Sequence, residues 1–157
     1  MWQGNTIDTT NPRYNGKPYA IKLLDIVNRY GLRGNATFIS STAYTLRLMA
    51  DKDQSYRYGI VYFGKIGSSF SEWTTLFNQI NEFNTDAAAS KAYLFADVNI
   101  DNLKTAEAGS VDKLAETGCA LEVWTAKIKE DLDNLDPYIT GVTSDNIHAG
   151  EILAKKI

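Results

Sequence analysis

The chain contains one cysteine, Cys119, and one histidine, His148, in 157 residues. A lone cysteine excludes an internal disulfide framework and any two-cysteine redox motif, so thiol usage does not reveal the compartment. A lone histidine excludes any mechanism that needs two imidazoles, and any histidine-rich metal site, for this chain acting alone. No apolar run reaches the ~18 residues of a membrane-spanning helix, and no span is expected. Excess positive charge is also missing. The net charge is −3 and no basic stripe offsets it, which argues against a nucleic-acid partner. The opening MWQGNTIDTTNP has neither the basic n-region nor the apolar core of a signal peptide, and localisation stays open.

What remains is ordinary globular composition, 44% hydrophobic and 22% charged, at the size of one domain. Residues 1–17 read as a polar lead and 18–157 as a single α/β domain. YAIKLLDIVNRYGL carries apolar residues at helical spacing and stops at Gly31. NATFIS predicts a short strand, and STAYTLRLMADKD a helix opened by Ser/Thr caps. RYGIVYFG is the near-continuous apolar run of a strand buried on both faces. After the GKIGSS loop, Ser69 and Glu72 fit a capping box, and Phe70, Trp73, Phe77 and Ile80 stripe one helical face.

KAYLFADVN predicts the next strand, and residues 101–118 a helical region in two pieces about Gly109, ending at Gly118. LEVWT, a short helix in AKIKEDLDNL, TGVTSD and a closing helix over 146–157 complete the chain. Strand and helix thus alternate, the signature of a parallel sheet built from βα units. Periodicity does not separate an open doubly wound sheet from part of a barrel.

Most motif-like stretches reduce to structure. DVNID, Asp97 to Asp101, begins like a calcium loop, but Asn102 and Ala108 stand where the loop needs Gly and Glu. It reads instead as a strand end followed by an Asp/Asn helix cap. SVDK with SDN imitates two penicillin-binding signatures without the third, K-T-G. The sequon at Asn35 runs into a strand, and GKIG lacks the Lys-Ser/Thr of a phosphate loop. His148 reads as a helix-end surface residue, Cys119 as a small, partly buried side chain, and Trp73 as core. Trp124 differs. It stands near the carboxyl end of a strand, where α/β folds collect functional residues, and either lines a site or packs beneath a loop.

Two passages carry a family resemblance. LLDIVNRYGLRGNATFIS resembles the helix-glycine-strand passage of glycerophosphodiester phosphodiesterases, where a helix ending K-Y-G-L leads into a V-x-F-S strand. TGCALEVWTAKIKEDLDNLDPYITGVTSDN resembles that family's closing passage, a V-W-T strand, a short helix and a final G-I-x-T-D strand. The family is a TIM barrel, and the resemblance implies that this chain corresponds to its second half, about strands five to eight with the tail of four. A complete barrel needs at least ~200 residues.

By the same resemblance Trp124 lines the substrate pocket, Asp145 and Ser144 end the last strand beside it, and Ser40, with its neighbour Ser41, ends an earlier one. The family's H-R-G strand, E-x-D metal pair and second histidine have no counterpart here. Near its metal-binding Glu only Asp8 offers a carboxylate, in a poor match. The divalent metal, Ca or Mg, is therefore expected in the complete barrel and not on this chain alone. The implied activity is metal-assisted hydrolysis of a glycerol phosphodiester, with this chain inactive alone. The competing reading is a non-catalytic module for a glycerol-phosphate ligand or a protein. A part-barrel exposes sheet edges and a concave face, so the expected partner is the missing half-barrel or a second copy.

Overall fold

The computed structural model describes residues 17–62, 73–133, 135–145 and 148–154. Residues 1–16 of the polar lead, with Asp8, and the GKIGSS loop and the Ser69–Glu72 capping box lie outside those residues, while Lys17 opens the first helix. Seven α-helices and five strands alternate among the described residues: α1 Lys17–Arg29, β1 Thr37–Ser40, α2 Ala43–Lys52, β2 Arg57–Tyr62, α3 Thr74–Asn84, β3 Tyr93–Asn99, α4 Ile100–Lys104, α5 Ser110–Glu116, β4 Ala120–Ala126, α6 Lys129–Asp133, β5 Ile139–Ser144 and α7 Ala149–Ala154. All five expected strands form.

The sheet order is β1-β2-β3-β4-β5, every neighbouring pair parallel. That order resolves what periodicity left open. Crossovers between parallel strands are right-handed, so a sheet that always grows in the same direction lays every helix on the same face. A doubly wound sheet reverses direction and covers both faces. Here one face is helix-covered. Phe38, Tyr58, Ile60, Leu94, Ala96, Val98 and Leu121 join Ala20, Leu24, Leu46, Met49, Leu76, Ile80, Phe83 and Leu114 of the helices in one core. A smaller cluster of Ile100, Val123, Ala126 and Leu132 continues it under α6 and α7.

Local chemistry sets the element ends. Gly31, at φ 69°, stops α1 in the left-handed region that other residues avoid. Gly109, at φ 84°, divides α4 from α5 where the two-piece reading expects it. Asn99 caps α4, its side chain accepting from the N–H groups of Asp101 and Asn102, as the DVNID reading anticipates. The Ser/Thr start of α2 works differently from expectation. Thr42 makes no side-chain cap, and its N–H instead donates to Ser40 Oγ at 3.0 Å. Trp73 is fully buried just before α3, in keeping with a core role.

The other sheet face carries the alternate residues. Strand register sets them in rows: Thr37, Arg57 and Tyr93; then Ile39, Gly59, Phe95 and Ala120; then Val61, Asp97, Glu122 and Gly141; then Asn99 and Trp124. Two glycines are fixed by this face. A Cβ on Gly59 would stand 2.3 Å from the Phe95 ring, and one on Gly141 would stand 2.7 Å from the Glu122 carboxyl carbon. Glycine is required there for room and not for backbone freedom.

Candidate functional site

The residues expected of a rim lie at the C-terminal ends of three strands, β1 at one edge of the sheet and β4 and β5 at the other. Ser40 ends β1, Trp124 lies two residues before the end of β4, Ser144 ends β5, and exposed Asp145 follows it. Ser41 is exposed in the turn after β1. Trp124 is half-buried on the helix-free face, and its indole N–H donates to the Asp97 carbonyl at 3.2 Å, so the ring bridges to β3. The pleat slips beyond it: Val123 and Ala126, three apart, both pack into the helix-side cluster. The Trp124–Thr125 peptide bond is cis.

Ser144 and Asp145 are tied to that strand end. The Ala126 carbonyl accepts from Ser144 Oγ at 2.6 Å and from the Asp145 N–H at 3.2 Å. These bonds lock β5 against β4 and leave the Asp145 side chain toward solvent. Ser40 is likewise part of a turn, through its bond to Thr42. His148 is exposed before α7, with Nδ1 3.5 Å from Glu151 Oε2. Cys119 is buried, and burial pushes its thiol up to about 12, so it is inert as a nucleophile.

One row below the rim lies a polar cluster absent from the sequence expectations. Asp97 and Glu122 are register partners across β3 and β4. Arg57 bonds Glu122 Oε1 and stacks its guanidinium 5.1 Å from the Tyr93 centroid and 5.2 Å from the Phe95 centroid. Asp97 is only 8% exposed. Among the described residues its carboxylate has neither a hydrogen-bond donor nor an ion-pair partner. Burial first, and then the charge of Glu122, push its carboxyl up to about 6. Glu122 is raised by burial, against the pull of Arg57. The signal for this cluster was present in the sequence: acids within ADVNI and LEVWT, runs that otherwise read as buried strand.

Among the described residues no three His, Cys, Asp or Glu side chains converge on one point. Asp97 and Glu122 offer two carboxylates, but Arg57 already occupies one Glu122 oxygen. Among the described residues a cavity of about 460 Å³ lies elsewhere, on the helix side. It is lined by Ile100, Leu103, Val111, Leu135 and Ile139, with charged groups including Lys104 and Asp131. No helix among the described residues is long and apolar enough to cross a membrane.

No family model matches the chain, and no curated protein matches it either. Among solved structures, a protein from Silicibacter pomeroyi titled as a glycerophosphoryl diester phosphodiesterase is similar in fold, with a TM-score of 0.63 at 13% identity. The match covers 96% of this chain and 48% of that one, so the chain spans about half the length of its structural neighbour. At that identity the likeness establishes the fold, a five-stranded parallel α/β sheet matching part of a TIM barrel.

Proposed function

We propose that the chain is the C-terminal portion of a glycerophosphodiester phosphodiesterase-like TIM barrel, its rim forming one wall of a pocket for a glycerol phosphodiester. The observation that supports this reading is the singly wound sheet, with Trp124 two residues before the end of β4 and Ser144–Asp145 at the end of β5. Those are the positions at which the sequence most resembles the family. A (βα)₈ barrel closes with eight strands. The five strands among the described residues would correspond to about the last five of these, and the complementary segment would supply the others. A second copy would bring the total to ten, and the complementary segment is the better partner.

In this pocket the Trp124 ring offers a flat apolar wall, the Ser144 hydroxyl and Asp145 carboxylate polar contacts beside it, and Ser40 and Ser41 contacts at the far end of the rim. In the complete barrel a divalent metal would offset phosphoryl charge. This chain carries no H-R-G strand, and its single histidine, His148, does not supply the two imidazoles that the resemblance implies for such a site. The isolated chain is therefore expected to bind weakly and not to turn over.

The test is an assay of the purified chain on glycerophosphodiesters with Mg²⁺ or Ca²⁺, paired with calorimetric titration of glycerol 3-phosphate. The expected result is no turnover, and millimolar binding that Trp124→Ala weakens at least ~fivefold, about the loss of one aromatic contact. Turnover by the chain alone would contradict the assignment of acid, base and metal to the complementary segment. Binding indifferent to Trp124 would contradict the rim as the site.

A further inference from the structure

We propose that the outer flank of α1 is a self-association surface, on which a second copy of the chain docks about a two-fold axis. The phosphodiester reading is not needed for this, and the contact, at the edge of the helix layer, does not close a barrel. Exposed apolar side chains gather on this one helix. Tyr19, Ile26 and Tyr30 are 72%, 40% and 75% exposed. With half-buried Leu23 they stand four, three and four residues apart, the spacing of a single helical stripe. Tyr30 belongs to the stripe although α1 ends at Arg29, because its N–H still donates to the Ile26 carbonyl at 3.2 Å.

This stripe is distinct from the one that builds the core. Ala20 and Leu24 are buried, and Val27 packs on the same cluster. Asn28 stands to one side of that core face, where its Oδ1 accepts from Tyr56 Oη at 2.6 Å, beside the start of β2. By helical phase the stripe stands on the other side. It therefore points past the edge strand β1 and away from α2, the helix that α1 packs against. At the opposite edge, Ala149 and Ile152 of α7 are drawn into the second cluster. The stripe also matches itself. Its spacing is symmetric about the midpoint of Leu24 and Asp25, so an antiparallel copy sets Tyr19 opposite Tyr30 and Leu23 opposite Ile26, twice over. The four side chains offer roughly 450 Å² per copy. The stems of Lys22 and Arg29 beside them bring the contact to the low end of specific interfaces, about 600 Å² per partner.

The experiment is sedimentation equilibrium of the purified chain at pH 7.5 over ~10–500 μM. The expected result is a monomer–dimer equilibrium with a Kd of about 10–100 μM. Ile26→Glu should raise that Kd at least ~tenfold, while Ile128→Glu, at an exposed apolar residue before α6, should leave it unchanged. Both sites are exposed, and cooperative melting reports that each variant folds. Lys22 and Arg29 border the stripe and repel their copies, so added NaCl should tighten the dimer. A short bismaleimide reads the pairing. An equal mixture of Tyr19→Cys and Tyr30→Cys chains should cross-link more than either variant alone, and the parent chain not at all, because Cys119 is buried. A monomer throughout would overturn the proposal and assign the stripe to a different segment or chain. So would association that Ile26→Glu spares, that Ile128→Glu abolishes or that salt weakens. Cross-linking within either cysteine variant but not in the mixture would overturn the two-fold pairing.

Discussion

At Asp97 a carboxyl group is held near a second carboxylate and away from water, and its proton affinity reports both. With its carboxyl raised from 3.8 to about 6, the folded chain binds that proton more tightly than the unfolded chain does. Its contribution to stability is therefore fullest below about pH 4, is lost as pH rises through 6, and is level beyond. Asp97→Asn should stabilise the isolated chain at pH 7.5 by ~1–2 kcal/mol after allowance for solvent screening, and by almost nothing at pH 4. Urea unfolding at the two pH values measures this, and equal effects at both would contradict it. Asp131 is the opposite case. Its bond from Lys104, reinforced by the N–H groups of Lys127 and Ile128, lowers its carboxyl from 3.8 to about 2. Its stabilisation is present above about pH 4 and is lost as pH falls toward 2. Asp131→Asn should lower the melting temperature at pH 7, and the difference from the parent chain should vanish near pH 2.

Among the elements, β2 and β5 each carry a glycine whose missing side chain makes space for a neighbour on β3 or β4. Gly59→Ala would drive a methyl group into the Phe95 ring, which is itself buried and pinned by Arg57. It should cost ~1–3 kcal/mol, the usual penalty for overpacking a filled site. Gly141→Ala meets the far end of the flexible Glu122 side chain, so it should cost less and show instead as a loosened Arg57–Glu122 pair. Denaturant midpoints rank the two, and a larger penalty at Gly141 would contradict the packing described. The elements themselves were legible in the sequence, because apolar periodicity and glycine stops act locally. The two-piece helix about Gly109 and the Asn99 cap follow from that local chemistry. The expected Thr42 cap does not form; the Thr42 N–H donates to Ser40 Oγ, and the Thr42 side chain makes no cap bond.

For the whole molecule, the sheet order is what periodicity could not supply, since it depends on which strand each crossover reaches. The rim positions of Trp124 and Ser144 were legible because strand ends can be read from sequence. The acids Asp97 and Glu122 were visible within strand-like runs, but their grouping with Arg57 was not, because it arises from register across three strands. Among the described residues β1 and β5 each pair on one side only, which leaves two open edges. The isolated chain should therefore associate with rising concentration, and light scattering showing a monomer across ~10–500 μM would argue that its edges are covered. The central claim is that the C-terminal rim is one wall of a glycerol-phosphate pocket. The most direct measurement is a ¹H–¹⁵N NMR titration of the chain with glycerol 3-phosphate. The prediction is shifts concentrated at the Trp124 indole, Ser144, Asp145 and Ser40. Shifts confined to the helix-side cavity around Leu103 and Leu135, or none at millimolar ligand, would contradict it.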